Sequence, residues 1–76
     1  MERVGFDSSV IASAGYDAGL RTLEVEFVSG EVYRYFLVPA RVWREWRTAE
    51  SAGAYFGAHI RDRYPEEWMP SGGTRA

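Results

Sequence analysis

Arginine is where this chain concentrates its capacity for chemistry: all nine basic residues are arginine and none is lysine. A guanidinium is a planar fork that can grip phosphate or carboxylate through two parallel hydrogen bonds. Six of the nine (Arg34, Arg41, Arg44, Arg47, Arg61 and Arg63) fall between residues 34 and 63. That stretch carries a net charge of +3, against −4 over residues 1–33 and −1 over residues 64–76. The whole chain carries −2, so it exerts no global pull on nucleic acid, and any such attraction is local. Codon bias in a GC-rich genome explains an arginine-only composition equally well without a ligand.

Each candidate has a structural and a functional reading. Tyr33 and Tyr35 flank Arg34 on what reads as a strand, and two such rings can form a stacking platform for bases. Alternation turns both tyrosines inward as core rings and Arg34 outward, where a cross-strand pair with Glu24 is the simplest account. Arg41, Arg44 and Arg47 lie on one side of a helix, as a solvated face or as phosphate contacts. Arg61 and Arg63 stand near the end of a second helix, where cations complement the helix dipole. Ser51 precedes that helix and reads as its N-cap, or as part of an anion site on free N–H groups. His59 is the sole histidine. Catalysis through it would need an adjacent nucleophile and an orienting carboxylate, and the mere co-occurrence of Ser, His and Asp carries no signal. No phosphate-binding loop, dinucleotide glycine pattern or HExxH is present. Glu66 and Glu67 read as solubilising charge. The chain is therefore expected to be non-catalytic, with no cofactor and no metal.

Composition bounds the scaffold that must hold these groups. Seventy-six residues make one domain. A chain of this length buries only about 60% of its unfolded surface. With no cysteine, disulfides and thiolate-rich zinc sites are excluded, and one histidine excludes a multi-histidine site. Aromatic residues, at 16%, are left to supply the core. No apolar run approaches the ~20 residues of a membrane span, and the N-terminus lacks a signal peptide's apolar stretch. A cytoplasmic location without membrane contact is the expectation.

The organising stretch is residues 22–39, strand-turn-strand followed by Pro39. Leu23, Val25 and Phe27 alternate with Thr22, Glu24 and Glu26. A two-residue loop at Ser29-Gly30 would set Arg34 beside Val25 on the core face. A three-residue loop of Val28, Ser29 and Gly30 puts Gly30 at the left-handed position and pairs Val25 with Tyr33, Leu23 with Tyr35 and Glu24 with Arg34. The second register segregates apolar from charged residues and is the one expected. Residues 10–17 read as an earlier strand, with Gly15 marking a bulge or close approach. Residues 1–8 read as a lead-in. Pro39 opens a first helix over residues 40–49 with Val42, Trp43, Trp46 and Ala49 on one stripe. Ser51 opens a second, with Ala52, Phe56, Ile60 and Tyr64 on one face. Gly53 and Gly57, four apart, each cost a helix ~1 kcal/mol and suggest another backbone passing close by.

These residues form an ordered set of blocks. The string L-x-V-x-F-x-S-G-x-x-Y-x-Y over residues 23–35 is followed by Val38-Pro39, by Ser51-x-Gly53-x-Tyr55-Phe56 and by Ile60-Arg61-x-x-Tyr64. Ser8-Ser9 and Gly15-Tyr16-Asp17 stand upstream. The set resembles the KTSC domain, named for the C-terminal region of some lysyl-tRNA synthetases and also found as a stand-alone small protein in bacteria and phages. The resemblance covers roughly residues 4–64. Gly57 departs from it, since an Asn often follows the Tyr-Phe pair. The link to a tRNA synthetase implies RNA binding by association.

The expectation is an α+β fold in the order β-β-β-α-α, a three-stranded antiparallel sheet with two short helices packed on one face. Residues 1–66 would form the domain and residues 67–76 a C-terminal tail. Function is expected to be that of a binding module for RNA, with Arg34, Arg41, Arg44 and Arg61 on phosphates and aromatics, Tyr33 and Tyr35 among them, on bases. The alternatives are a nucleotide held by Ser51 and Arg61, or a protein partner or second copy docking at a sheet edge.

Overall fold

The β-hairpin forms in the register that apolar alternation demands. In the computed structural model, which describes residues 2–70, Leu23 lies opposite Tyr35, Glu24 opposite Arg34 and Val25 opposite Tyr33. Its three-residue loop closes through Gly30 N–H to Phe27 O (2.8 Å) and Phe27 N–H to Glu31 O (2.9 Å). Gly30 takes φ +99°, which L side chains rarely adopt.

Around this hairpin the chain runs β1 (Arg3–Gly5), β2 (Ile11–Asp17), β3 (Thr22–Phe27), β4 (Val32–Tyr35), α1 (Ala40–Arg47), α2 (Ala52–His59) and β5 (Glu66–Trp68). The strands form one antiparallel sheet in the order β1-β2-β3-β4-β5. The α+β class holds, but the sheet has five strands where three were expected. β1 lies in the supposed lead-in, and β5 crosses the expected boundary between domain and tail. Each is three residues long, too short for a period-two pattern to register. The rest of the expected tail, residues 71–76, lies outside the described residues.

β2 also corrects the expected bulge. The irregularity falls between Ile11 and Ser13, not at Gly15. The extra residue, Ala12, lets Ile11 and Ala14 both reach the core, where each is fully buried, although strict alternation would place them on opposite faces.

One sheet face carries both helices. Trp46 of α1 is fully buried, packs on Phe6 (ring centroids 4.6 Å) and donates its indole N–H to Ala52 O (2.9 Å). Trp43 stacks on Tyr16 at 5.9 Å. Phe56 of α2 meets Phe27 and Tyr35 edge-on, at 5.4 and 5.6 Å. Ser51 caps α2 as expected, its Oγ accepting from Ala54 N–H at 3.2 Å. The helix itself stops at His59, short of Tyr64, and a turn follows in which Asp62 takes φ +62°. Among the described residues no helix is long and apolar enough to cross a membrane.

Candidate nucleic-acid interface

The register aligns one residue from each strand on the face that carries no helix: Arg3, Gly15, Glu24, Arg34 and Glu67. Gly15 has no side chain, so Arg3 reaches across it and binds Glu24 Oε1 through Nε (3.0 Å) and Nη2 (2.7 Å). Arg34 Nε grips the other oxygen, Oε2, at 2.9 Å. Arg3 also contacts Ser13 Oγ (3.1 Å) and Glu26 (3.3 Å), and Ser13 Oγ donates to Glu26 at 2.8 Å. Glu24 is fully buried on a face that no helix covers. A buried carboxylate needs such partners, since an unpaired one would be strongly destabilising. Of the two readings of Arg34, the cross-strand pair with Glu24 is the one formed, and a contact with phosphate is not needed to explain it.

The helical face holds an open cleft of about 760 Å³ between α2 and the β3–β4–β5 side of the sheet. Tyr33, half-buried and set edge-on to Phe27 at 5.9 Å, lies in its lining with Phe56. Arg61, Glu31, Asp62 and Glu66 supply its charged groups. Tyr35 also borders the cleft, but only 3% of it is exposed. Burial, with the Glu66 carboxylate beside it, holds the Tyr35 phenol well above the ordinary tyrosine pKa, so it stays neutral. Tyr35 is therefore a core ring, and Tyr33 alone of the pair presents a surface.

Gly53 and Gly57 line this cleft as well, and they overturn the expected close backbone approach. A Cβ built on Gly57 would meet nothing within 4 Å, and one on Gly53 would make ordinary contact with Val10 and Ser8 side chains. Neither glycine is required by protein packing.

On the other side of α2 a second groove runs between the helices, lined by Arg41, Glu45, Tyr55, His59, Arg63 and Tyr64. Tyr55 and His59, one helical turn apart, pack ring on ring at 4.5 Å. The Tyr55 hydroxyl donates to Glu45 Oε1 at 2.8 Å; burial and this bond push its pKa up to about 12. Arg41 pairs loosely with Glu45 at 3.7 Å, with both side chains largely exposed, which leaves the guanidinium available. Arg47 lies over the Trp43 ring at 5.3 Å.

The expected site residues therefore separate. Arg41 joins Arg63 in one groove, Arg61 joins Tyr33 in the cleft, Arg44 is exposed on α1, and Arg34 is paired on the opposite sheet face. Ser51 and Arg61 stand at opposite ends of α2, about 12 Å of helix apart, so they do not form one anion site. Sequence reasoning missed the Tyr55–His59 pair, although i,i+4 spacing on a helix signals it. It also missed Phe27, Glu31 and Glu66 as cleft residues, which only the packing of α2 brings together. Among the described residues no three His, Cys, Asp or Glu side chains cluster to hold a metal ion.

The KTSC domain family model matches residues 7–64. A protein of Stutzerimonas stutzeri described as uncharacterized is 40% identical over 68 residues, 90% of this chain and 96% of that one. A lysine–tRNA ligase of Nostoc punctiforme is 38% identical over 63 residues, which are 83% of this chain but only 11% of the ligase. The crystal structure of a KTSC domain protein from Yersinia pestis superposes with a TM-score of 0.87 at 32% identity, covering 90% of this chain and 96% of that one.

Proposed function

The chain belongs to the KTSC domain family, and on that premise we propose that it is a non-catalytic module that binds single-stranded segments of RNA. The observation that carries this reading is the turn after α2. Arg61 and Arg63, two residues apart, line grooves on opposite sides of the helix, and each groove contains aromatic surface. A strand crossing this turn can set its phosphates against Arg41 and Arg63 in one groove, with Arg44 exposed nearby on α1, while Arg61 faces the cleft on the other side. Rings lie within reach on either side for bases to stack upon. The occurrence of a matching segment in a lysine–tRNA ligase adds support from the company the domain keeps.

Binding that uses about three phosphate contacts on a single strand weakens with salt, with a slope of log K against log salt of roughly −2. Labelled tRNA and a single-stranded RNA, titrated at two salt concentrations, test this. Absence of binding at low salt defeats the proposal. Binding that survives Arg41→Glu and Arg63→Glu unchanged moves it off this surface.

A second reading is favoured by one observation. Trp68 is 54% exposed on β5, an edge strand of the sheet, where another strand or a second copy could pair. Sedimentation of the chain across concentrations, with and without Trp68→Ser, decides whether that edge self-associates.

A further inference from the structure

We infer that the cleft between α2 and the β3–β4 hairpin takes a guanine base. This deepens the RNA reading and rests on it for the source of the base. Three features point to the ligand's chemistry. Tyr33 offers a half-exposed ring braced edge-on by Phe27, a lining suited to a flat aromatic ligand. Gly57 leaves open space where any other residue would place a Cβ, so the helix flank admits a ring close to its backbone. The charged groups are mixed: one guanidinium, Arg61, against the carboxylates of Glu31, Asp62 and Glu66.

That balance of charge decides between phosphate and base. Three carboxylates to one arginine disfavour a phosphate inside the cleft, so the backbone stays outside, near Arg63 and Arg41, and the base enters. A carboxylate accepts two parallel N–H bonds, and an arginine fork donates two to neighbouring acceptors. Guanine presents N1–H and N2–H side by side on one edge, and O6 and N7 side by side on another. Adenine sets one donor beside one acceptor on the pairing edge, cytosine one donor beside two acceptors, and uracil has a single donor between two carbonyls. Guanine is the base whose edges match both kinds of group in the cleft. Glu66 stands beside the Tyr35 phenol and helps to keep it protonated. Among the described residues, Glu31, Asp62 and Arg61 make no side-chain hydrogen bond or ion pair within the fold and are available to the base.

The test uses the full 76-residue chain with two hexanucleotides, one all-uridine and one with a single central guanosine, and with guanosine and adenosine monophosphates. The guanosine hexamer should bind on the order of tenfold tighter than the uridine one. Gly57→Leu, whose Cβ meets no protein atom within 4 Å and whose side chain occupies cleft space, should erase that preference while the unfolding temperature holds or rises. Glu31→Gln with Asp62→Asn should erase it as well; Asn tolerates the left-handed backbone at 62. Equal binding of both hexamers overturns the inference and leaves the RNA reading standing. Uptake of guanosine monophosphate, sensitive to Gly57→Leu, with no RNA bound, supports the guanine site and defeats the RNA reading. An arginine-rich peptide that occupies the cleft in place of either nucleotide overturns the inference.

Discussion

The two faces of the sheet are buried by opposite means. On the helical face the cover is aromatic: Trp46, Phe56 and Tyr35 are packed to 5% exposure or less. On the other face no helix lies down, yet Glu24 is as dry as any core residue because Arg3 and Arg34 close over it. Rings of fixed shape cannot tile the helical face to its edge, and a cleft remains beside Tyr33. Arginines have long flexible stems that lie along a surface while their heads find the carboxylate. The two arginines of the face without helices are therefore engaged within the fold, whereas the cleft on the helix-covered face keeps Arg61 unpaired among the described residues. Absence of a covering helix is no measure of availability for binding.

Glu24→Ala strikes this contrast hardest. It removes a fully buried carboxylate on which two arginines converge, and a loss of about 3–5 kcal/mol is expected, most of what a domain of this size has. Thermal unfolding reads it directly. A loss below 1 kcal/mol would mean the charged face contributes no more than a solvated surface.

Arg34 and Arg63 then divide stability from binding. Arg34→Ala should cost about 1–3 kcal/mol through its bond to a buried charge, and leave the salt slope of RNA binding unchanged. Arg63→Ala should leave stability within about 0.5 kcal/mol and reduce that slope by ~0.7, one phosphate contact on a single strand. An inverted outcome would exchange the roles of the two surfaces. Gly57→Ala is a smaller effect of opposite sign. With open space around its Cβ, it should stabilise by about 1 kcal/mol in chemical denaturation. Destabilisation would show that the cleft wall is tighter than its geometry implies.

The smallest expected effect is alkaline. The Tyr55 pKa is raised from about 10 to about 12 in the folded chain. The folded state thus holds a proton that the unfolded chain releases first. The associated stability is complete below pH 10 and is lost as pH rises through 12. Between pH 9 and 11.5 the unfolding temperature of Tyr55→Phe should fall less than that of the parent chain.

Local chemistry was legible in the chain alone. The hairpin register follows from turn length and alternation, because a slip of one residue would turn Glu24 and Arg34 into the aromatic core. Ser51 as cap, the Val42–Trp46 stripe and the order of the family's blocks are equally short-range. Tertiary structure alone decided what lies far apart in sequence. Arg3 reaches Glu24 across 21 residues and joins Arg34, the partner that the hairpin register already indicated, in closing over it. Two three-residue strands exist because neighbours pair with them, not because their own pattern requires it. The packing of α2 sends Arg61 and Arg63 to separate grooves and leaves Gly57 facing open space. Register is fixed by neighbours along the chain, whereas which arginine is spent on the fold and which remains for a ligand depends on contacts that form only when the sheet closes.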